Sequence, residues 1–156
     1  MSIAEGLASI QNEIPSNVTL VAVSKTKPVE AIQEAYALGL RDFGENRAVE
    51  LVEKVKALPD DIRWHAIGHL QRNKASLVAP ISSLIHSVDS IRLYDELSKH
   101  AGEKLDVLIQ IHIADEQNKH GFYPDDLKKI LDSGSNLHSP NIKIKGLMGM
   151  ATFTDN

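Results

Sequence analysis

Short apolar runs separated by amphipathic stretches dominate this chain. The runs occupy residues 18–25, 42–45, 63–68, 84–89, 106–113 and 142–150, and their starts are 21 to 24 residues apart except at the longer last interval. A parallel strand that is buried on both faces carries a near-continuous run of apolar, often β-branched side chains. The six runs therefore predict six strands of a parallel sheet.

Apolar residues recur at helical spacing between these runs. The clearest case begins at Pro28, where Ile32, Ala35 and Leu38 share one face and Gly39 supplies the stop. The same spacing recurs within residues 51–58, 91–101 and 124–131, and a first helix is predicted over residues 2–13. Strands that alternate with helices predict right-handed parallel βαβ units.

Two architectures offer this alternation, an open doubly wound sheet and a (β/α)8 barrel. The spacing is even, no glycine-rich Rossmann fingerprint follows the first run, and polar residues stand at the carboxyl ends of the strands. We therefore predict an α/β fold of the (β/α)8 TIM-barrel type, as a single domain over residues 1–156 with about six strand–helix units present.

A closed barrel of this type needs eight units and about 250 residues. We expect the domain to be C-terminally incomplete, with the first and sixth strands as long apolar edges. Soluble proteins avoid such edges because they template pairing with other chains. Self-association of the 156-residue chain is the expected consequence.

Composition excludes several classes of function. A formal net charge of −4 and a pI near 5.9 argue against nucleic acid as a partner, because no basic excess is present to neutralise phosphates. The absence of cysteine removes disulfides, thiolate catalysis and cysteine-based zinc sites. Without a signal-peptide pattern or an apolar stretch of membrane-spanning length, we expect a cytoplasmic protein with no membrane partner.

Lys25 is the residue with the most suggestive position, because it closes the first apolar run. In α/β folds the carboxyl ends of the strands are where ligands bind. A lysine held there would be partly desolvated, which lowers its pKa and leaves an amine able to attack a carbonyl. The alternative is a solvated lysine in a strand-to-helix loop, and the local sequence leaves both open.

Six motifs, taken together and in order, resemble the pyridoxal 5′-phosphate (PLP) homeostasis protein family. They are Val-Ala-Val-Ser-Lys-Thr-Lys-Pro (21–28), Phe-Gly-Glu-Asn (43–46), Trp-His-Ala-Ile-Gly-His-Leu-Gln-Arg-Asn-Lys (64–74), Ile-His-Ser-Val-Asp (85–89), Lys-His-Gly-Phe (119–122) and Gly-Leu-Met-Gly-Met (146–150). The resemblance implies a barrel like the amino-terminal domain of alanine racemase, with PLP at its mouth and Lys25 forming the internal aldimine.

The resemblance also implies a role without established catalysis. The family is regarded as a PLP carrier or regulator of vitamin B6 and amino-acid pools, with PLP-dependent apo-enzymes as possible partners. It holds the cofactor phosphate with segments near strands seven and eight, and this sequence does not contain them. We therefore expect the chain alone to bind PLP weakly.

Three further residues are predicted to contact the cofactor. Asn46 either hydrogen-bonds the ring hydroxyl of PLP or serves as a helix N-cap. His65, like His86 and His112, falls on a predicted strand, and we favour packed or hydrogen-bonded histidines over a metal site. Met148 and Met150 share one side of the sixth predicted strand, where they would line the PLP pocket with apolar surface, and core packing explains them nearly as well.

The loop 69–74 and Lys119 are weaker candidates. Arg72 or Lys74 would meet an amino-acid carboxylate, and Lys119 would be a second PLP-accepting amine. Each has an equally good interpretation as ordinary surface or turn chemistry.

Two enzymes remain as alternatives to a carrier. A PLP-dependent amino-acid racemase needs a second acid/base group, usually a tyrosine from a second domain, whereas the tyrosines here fall within or beside predicted helices. A cofactor-free, aldolase-like barrel would use Lys25 as its Schiff-base lysine.

Overall fold

The computed structural model describes residues 2–113, 120–134 and 137–150. Its strands are β1 (Ala22–Val23), β2 (Asp42–Glu45), β3 (Arg63–Ala66), β4 (Leu84–Val88), β5 (Leu105–Ile111) and β6 (Ile142–Gly149). Its helices are α1 (Ile3–Glu13), α2 (Val29–Ala37), α3 (Ala48–Ala57), α4 (Ala75–Val78), α5 (Ile91–His100) and α6 (Pro124–Asp132), with 3₁₀ turns at Arg72–Lys74 and Ala79–Ile81.

The six strands form one parallel sheet in the order β1-β2-β3-β4-β5-β6. Each connection therefore moves to the next strand on the same side, as in a barrel, whereas a doubly wound sheet reverses its direction partway. The prediction of barrel-type winding is confirmed. Among the described residues the sheet is open, with β1 and β6 at its edges.

The predicted β1 was too long. The apolar run 18–25 yields a strand of only two residues, Ala22 and Val23, which pair with Phe43 and Gly44. The register that pairs Ala22 with Phe43 leaves residues 18–20 opposite positions before Asp42, where β2 begins, and the chain turns at residues 24–27. The long apolar edge expected at this end of the sheet is therefore absent, whereas β6 has eight residues and leaves Leu147 exposed.

The apolar core lies between the sheet and the helices. Phe43 and Trp64 are in register on β2 and β3, are almost fully buried and have ring centroids 6.0 Å apart. The helices contribute apolar side chains to the same layer, among them Ile32, Leu51, Leu93 and Leu97. Burial of each such side chain stabilises the fold by about 1.5–3 kcal/mol.

The opposite, inner face of the sheet is defined by the alternation of side chains along each strand. The row in register with Val23 runs through Gly44, His65, Leu84 and Asp106. Phe43 and Trp64, which directly precede Gly44 and His65, face the helices. The row of Gly44 and His65 therefore faces the inside of the barrel curve. Val23 is 53% exposed, so this part of the inner face is open to solvent.

Helix boundaries follow the expected capping chemistry. Ser2 caps α1 in a reciprocal capping box with Glu5, and the Oγ of Ser90 accepts a hydrogen bond from the backbone of Leu93 at the start of α5. Gly39 and Gly102 have φ of 98° and 60° just after α2 and α5, a conformation that glycine adopts readily. No helix in the described part of the chain is long and apolar enough to cross a bilayer.

Gly68 provides a test of how tightly the carboxyl ends of β2 and β3 pack. A Cβ at this position would lie 2.4 Å from the backbone oxygen of Asn46 and 2.7 Å from its Cα. Since backbone atoms cannot move aside as a side chain does, we expect Gly68→Ala to lower the free energy of unfolding by about 2 kcal/mol or more. Urea unfolding at neutral pH measures the loss.

Gly102→Ala is the matched control, because nothing lies within 4 Å of its added Cβ and only the positive φ opposes the change. The expected cost there is about 1 kcal/mol. A smaller loss in Gly68→Ala than in Gly102→Ala would contradict the close approach to Asn46.

Candidate functional site

Lys25 lies in a tight turn directly after β1. The backbone N–H of Ser24 donates to the carbonyl of Gly44 at 2.9 Å, which continues the β1–β2 ladder by one residue. The N–H of Lys27 donates to the carbonyl of Ser24 at 3.0 Å and closes the turn. Thr26 has φ of 62°, and a β-branched residue in this left-handed region costs about 1–2 kcal/mol.

Alternation assigns Lys25 to the inner face of the sheet. The Oγ of Ser24 donates to Glu45 at 2.5 Å, and Glu45 also accepts from Lys54 of α3, so both side chains face the helices. Lys25 comes next and therefore points to the opposite, inner side, as Val23 does. Its position at the carboxyl end of β1 is the one predicted from the sequence.

The expected desolvation of Lys25 is wrong for the described structure, in which the lysine is exposed. The reason is the open inner face, where neighbouring Val23 is also largely exposed. Lys25 does not line the cleft of about 790 Å³ between α2 and α3, whose walls include Thr26, Lys27 and Glu50. That cleft lies on the helix side of the sheet.

A buried cation lies behind the Lys25 turn. The ammonium of Lys54 donates to the carbonyl oxygen of Ser24, to Oε1 of Glu45 and to Oε1 of Glu50, each at 2.7 Å. Glu50 in turn accepts from the backbone N–H of Thr26 at 2.6 Å, and the hydrogen bond from Lys54 holds the pKa of Glu50 below its ordinary value. Glu45 therefore pairs with a lysine of α3, on the helix side of the sheet.

Asn46 is exposed at the carboxyl end of β2. The alternative interpretation as a helix N-cap is wrong, because the N-cap of α3 is Arg47 and has no side-chain hydrogen bond. Continuing the register from Val23 and Gly44 places Asn46 level with Lys25 on the inner face. Its amide makes no hydrogen bond within the described ranges, so contact with a cofactor stays a prediction.

His65 is a central member of a polar chain on the inner face. Its Nε2 lies 3.1 Å from Oδ1 of Asp42, and its Nδ1 lies 2.9 Å from Nε2 of His86. An ionised carboxylate can only accept, so Nε2 of His65 donates to Asp42, and in the neutral ring Nδ1 accepts from His86. Because both ring nitrogens have protein partners, His65 offers a cofactor only its ring surface.

The charges of Asp42 and His86, the two partners of His65, are set by burial and by Arg63. Burial alone would raise the pKa of Asp42, but hydrogen bonds from Arg63 and His65 outweigh it and the pKa lies below its ordinary value. Desolvation, with a smaller contribution from neighbouring His65, lowers the pKa of His86 to about 4. His86 is therefore neutral at pH 7.

Met148 lies on β6, in register with Gln110 and partly buried. It is on the last strand of the sheet order, whereas Lys25 follows the first. No described contact joins the two, and contact of Met148 with a cofactor stays a prediction. Lys119 lies outside the described residues.

His112 lies just beyond β5 and is buried. Its ring centroid lies 5.1 Å from that of Tyr123, and its Nδ1 has no hydrogen-bond partner among the described residues. No metal-ligating neighbour adjoins it there.

A second cluster, of His69, Asp89 and His120, joins the loops that follow β3, β4 and β5. Nδ1 of His69 lies 3.2 Å from Oδ2 of Asp89, and Nδ1 of His120 lies 3.7 Å from the same oxygen. Sequence reasoning missed this group, although each member follows the carboxyl end of a predicted strand.

These three residues could each offer one ligand atom to a metal ion, since the atoms lie within 4.8 Å of one another. The two imidazoles are stacked, however, with centroids 3.7 Å apart and planes at 11°. Nearly parallel rings aim their lone pairs side by side instead of toward one point, as a tetrahedral ion requires. Both rings lie beside the shared carboxylate of Asp89, and the absence of a metal stays a prediction.

The geometry defines a barrel-type α/β protein with a lysine at the carboxyl edge of its first strand. The family model for "Alanine racemase, N-terminal domain" matches residues 2–156. Proteins named "Pyridoxal phosphate homeostasis protein" are 40% identical over 141 residues in Aquifex aeolicus, 38% over 163 in Pseudomonas aeruginosa and 38% over 146 in Homo sapiens. These three matches include 88%, 96% and 86% of this chain, respectively.

The chain therefore belongs to the alanine racemase N-terminal domain family and, within it, to the pyridoxal phosphate homeostasis proteins. This confirms the resemblance inferred from the six motifs. The chain spans 61% of the Aquifex aeolicus protein, 70% of the Pseudomonas aeruginosa protein and 53% of the human protein.

Solved structures agree with this assignment. PipY of Synechococcus elongatus without PLP matches with a TM-score of 0.90 and 41% identity, over 99% of this chain and 74% of that one. PipY with PLP bound matches with a TM-score of 0.86 and 40% identity, over 98% of this chain and 72% of that one. Alanine racemase from E. faecalis shares the fold. It is 16% identical and matches with a TM-score of 0.73, over 98% of this chain and 42% of that one.

The low pKa of His86 predicts an acid-sensitive fold. The pKa of His86 is 6.5 in the unfolded chain and about 4 in the folded chain. At pH values between these two, the unfolded chain binds more protons than the folded chain, so the free energy of unfolding falls as the pH falls. We expect the free energy of unfolding to fall by about 1 kcal/mol more in the unmodified chain than in His86→Gln between pH 7 and pH 5, after discounting for the partial exposure of the ring.

Urea unfolding at the two pH values measures this difference. His138→Gln, which replaces an exposed histidine, is the control and should behave as the unmodified chain. An identical pH dependence of the unmodified chain and His86→Gln would contradict the assignment of a neutral, buried imidazole.

Proposed function

We propose that this chain binds PLP as a Schiff base on Lys25 and acts in PLP and amino-acid homeostasis as a carrier or regulator. The observation that carries the proposal is the position of Lys25, on the inner face at the carboxyl end of β1, in a turn fixed by hydrogen bonds on both sides. The PLP-bound structure of PipY, 40% identical to this chain, supports the choice of ligand.

The side chains at this edge suit the functional groups of PLP. PLP supplies an aldehyde, which a primary amine captures with loss of water. The amine of Lys25 has no partner among the described residues. The amide of Asn46, level with Lys25 on the next strand, has free donors and an acceptor for a ring hydroxyl. Lys25 and Asn46 would therefore be the residues that hold the cofactor.

A carrier must be able to release PLP, and a Schiff base on Lys25 would allow this. A Schiff base is reversible, and a second amine that reaches it releases the lysine and takes over the aldehyde carbon. PLP-dependent apo-enzymes, which present such an amine, are the partners that this proposal implies.

The positions of the tyrosines favour a carrier over a racemase. The hydroxyl of Tyr36 donates to Asp61 at 2.7 Å, and the hydroxyl of Tyr94 accepts from the backbone of Ser139 at 3.1 Å. Both belong to helices on the outer side of the sheet. Exposed Tyr123 is the remaining candidate for a second acid/base group.

Borohydride trapping tests the assignment of Lys25. The chain is incubated with PLP, the visible absorbance of the Schiff base is recorded, and the reduced adduct is mapped by mass spectrometry. We expect the adduct on Lys25 and expect Lys25→Ala to lose the band, by about tenfold or more, because no other amine in the described part of the chain lies on the inner face at the end of β1. Lys27→Ala, which removes an exposed lysine from the same turn, is the control and should keep the band.

A band that survives in Lys25→Ala at full intensity would overturn the proposal. Incubation of the loaded chain with single enantiomers of amino acids then separates the remaining functions. Conversion of one enantiomer to the other, lost in Tyr123→Phe, would replace the carrier with a racemase. Trapping of a sugar aldehyde without a PLP band would favour an aldolase-like enzyme.

A further inference from the structure

The ammonium of Lys54 is the most completely buried cation near the Lys25 turn. Its side chain is 6% exposed, and its three N–H groups are matched by three acceptors, namely Ser24, Glu45 and Glu50. A lysine is almost never this buried unless it is paired. Lys56, two residues further along α3, is exposed, as is usual for lysine.

Each member of this cluster makes one hydrogen bond to a residue that flanks Lys25. Lys54 holds the carbonyl of Ser24, Glu45 holds the hydroxyl of Ser24, and Glu50 holds the N–H of Thr26. Lys25, between Ser24 and Thr26, makes no such contact itself. The cluster therefore immobilises the backbone on both sides of the lysine and leaves its amine free.

Thr26 shows that the turn needs this support. Its φ of 62° is unfavourable for a β-branched residue, and such a conformation persists only when its surroundings impose it. The hydrogen bond from its N–H to Glu50, which Lys54 holds in place, supports this conformation together with the bond from the N–H of Lys27 to the carbonyl of Ser24. Removal of either partner would let the turn adopt more common conformations.

We infer that Lys54, together with Glu45 and Glu50, is a positioning cluster that fixes the Lys25 turn for capture of an aldehyde. This inference rests on the proposed function. In the step it supports, the uncharged amine of Lys25 adds to the carbonyl carbon, and the carbonyl oxygen leaves as water after proton transfer. A backbone already fixed loses less conformational entropy in that step than a mobile one.

The first measurement is hydrogen–deuterium exchange in the absence of PLP. The peptide that contains residues 24–27 should be protected in the unmodified chain and in Lys56→Met, the matched control on the same helix. We expect about tenfold faster exchange in Glu50→Ala, which removes the acceptor of the Thr26 N–H, and in Lys54→Met, which removes the hydrogen bond that holds this acceptor in place. Unchanged protection in folded Lys54→Met and Glu50→Ala would overturn the positioning cluster.

The second measurement is the rate of borohydride trapping at Lys25 under conditions in which each variant keeps its far-ultraviolet circular dichroism and cooperative unfolding. We expect about tenfold slower trapping in Lys54→Met and in Glu50→Ala, and an unchanged rate in Lys56→Met. Glu50 is only partly buried, so Glu50→Ala decides the matter if Lys54→Met does not fold. Trapping within twofold of the unmodified chain in the folded variants would overturn the inference.

A suppressor distinguishes positioning of the turn from a general loss of stability. Glycine adopts the backbone conformation of Thr26 without strain, so Thr26→Gly added to Lys54→Met should restore protection and part of the trapping rate. A structural defect elsewhere in α3 would not respond to this change. If the unmodified chain shows protection but no adduct on Lys25, the proposed function fails while the turn is still fixed by the cluster.

Discussion

Alternation of side chains along in-register parallel strands is the constraint on which the rest of this structure depends. It sends Phe43 and Trp64 toward the helices, where they form the core, and sends Gly44 and His65 toward the inside of the barrel curve. Because the strands share one direction, their carboxyl ends meet at one edge. The position of Lys25 at that edge follows from the same rule, since Ser24 before it faces the helices.

The sequence could predict the strands because most of the runs are short, rich in β-branched residues and followed by a polar residue or a turn. Helix ends at Gly39 and Gly102 were predictable for a similar reason, since glycine relieves the positive φ that both adopt. The two-residue length of β1 was not predictable, because it depends on the register with β2, which leaves residues 18–20 opposite positions before Asp42. The sequence of β1 alone does not determine which residues of the neighbouring strand lie opposite it.

The site was predictable to the extent that it depends on strand ends. Lys25 and Asn46 follow strands directly, so the topology alone brings them to one edge. Lys54 carried no signal, because a lysine on an amphipathic helix is normally solvated, and only the fold shows it buried against Glu45. His65 illustrates the opposite case: its strand position was correct, but its partners, Asp42 and His86, come from the two neighbouring strands and occupy both ring nitrogens.

Stability alone does not explain the Lys54 cluster. Replacement of a buried ion pair by apolar side chains of similar volume is often neutral or stabilising, because both charges must be desolvated to form the pair. What an apolar replacement cannot do is accept from the N–H of Thr26 or donate to the carbonyl of Ser24, and both of these bonds end on the turn that bears Lys25. The charges are therefore best understood through the backbone geometry they impose. The side chain of Lys25 is exposed and makes no contact of its own in the described part of the chain, so the position of its backbone is fixed through the residues beside it.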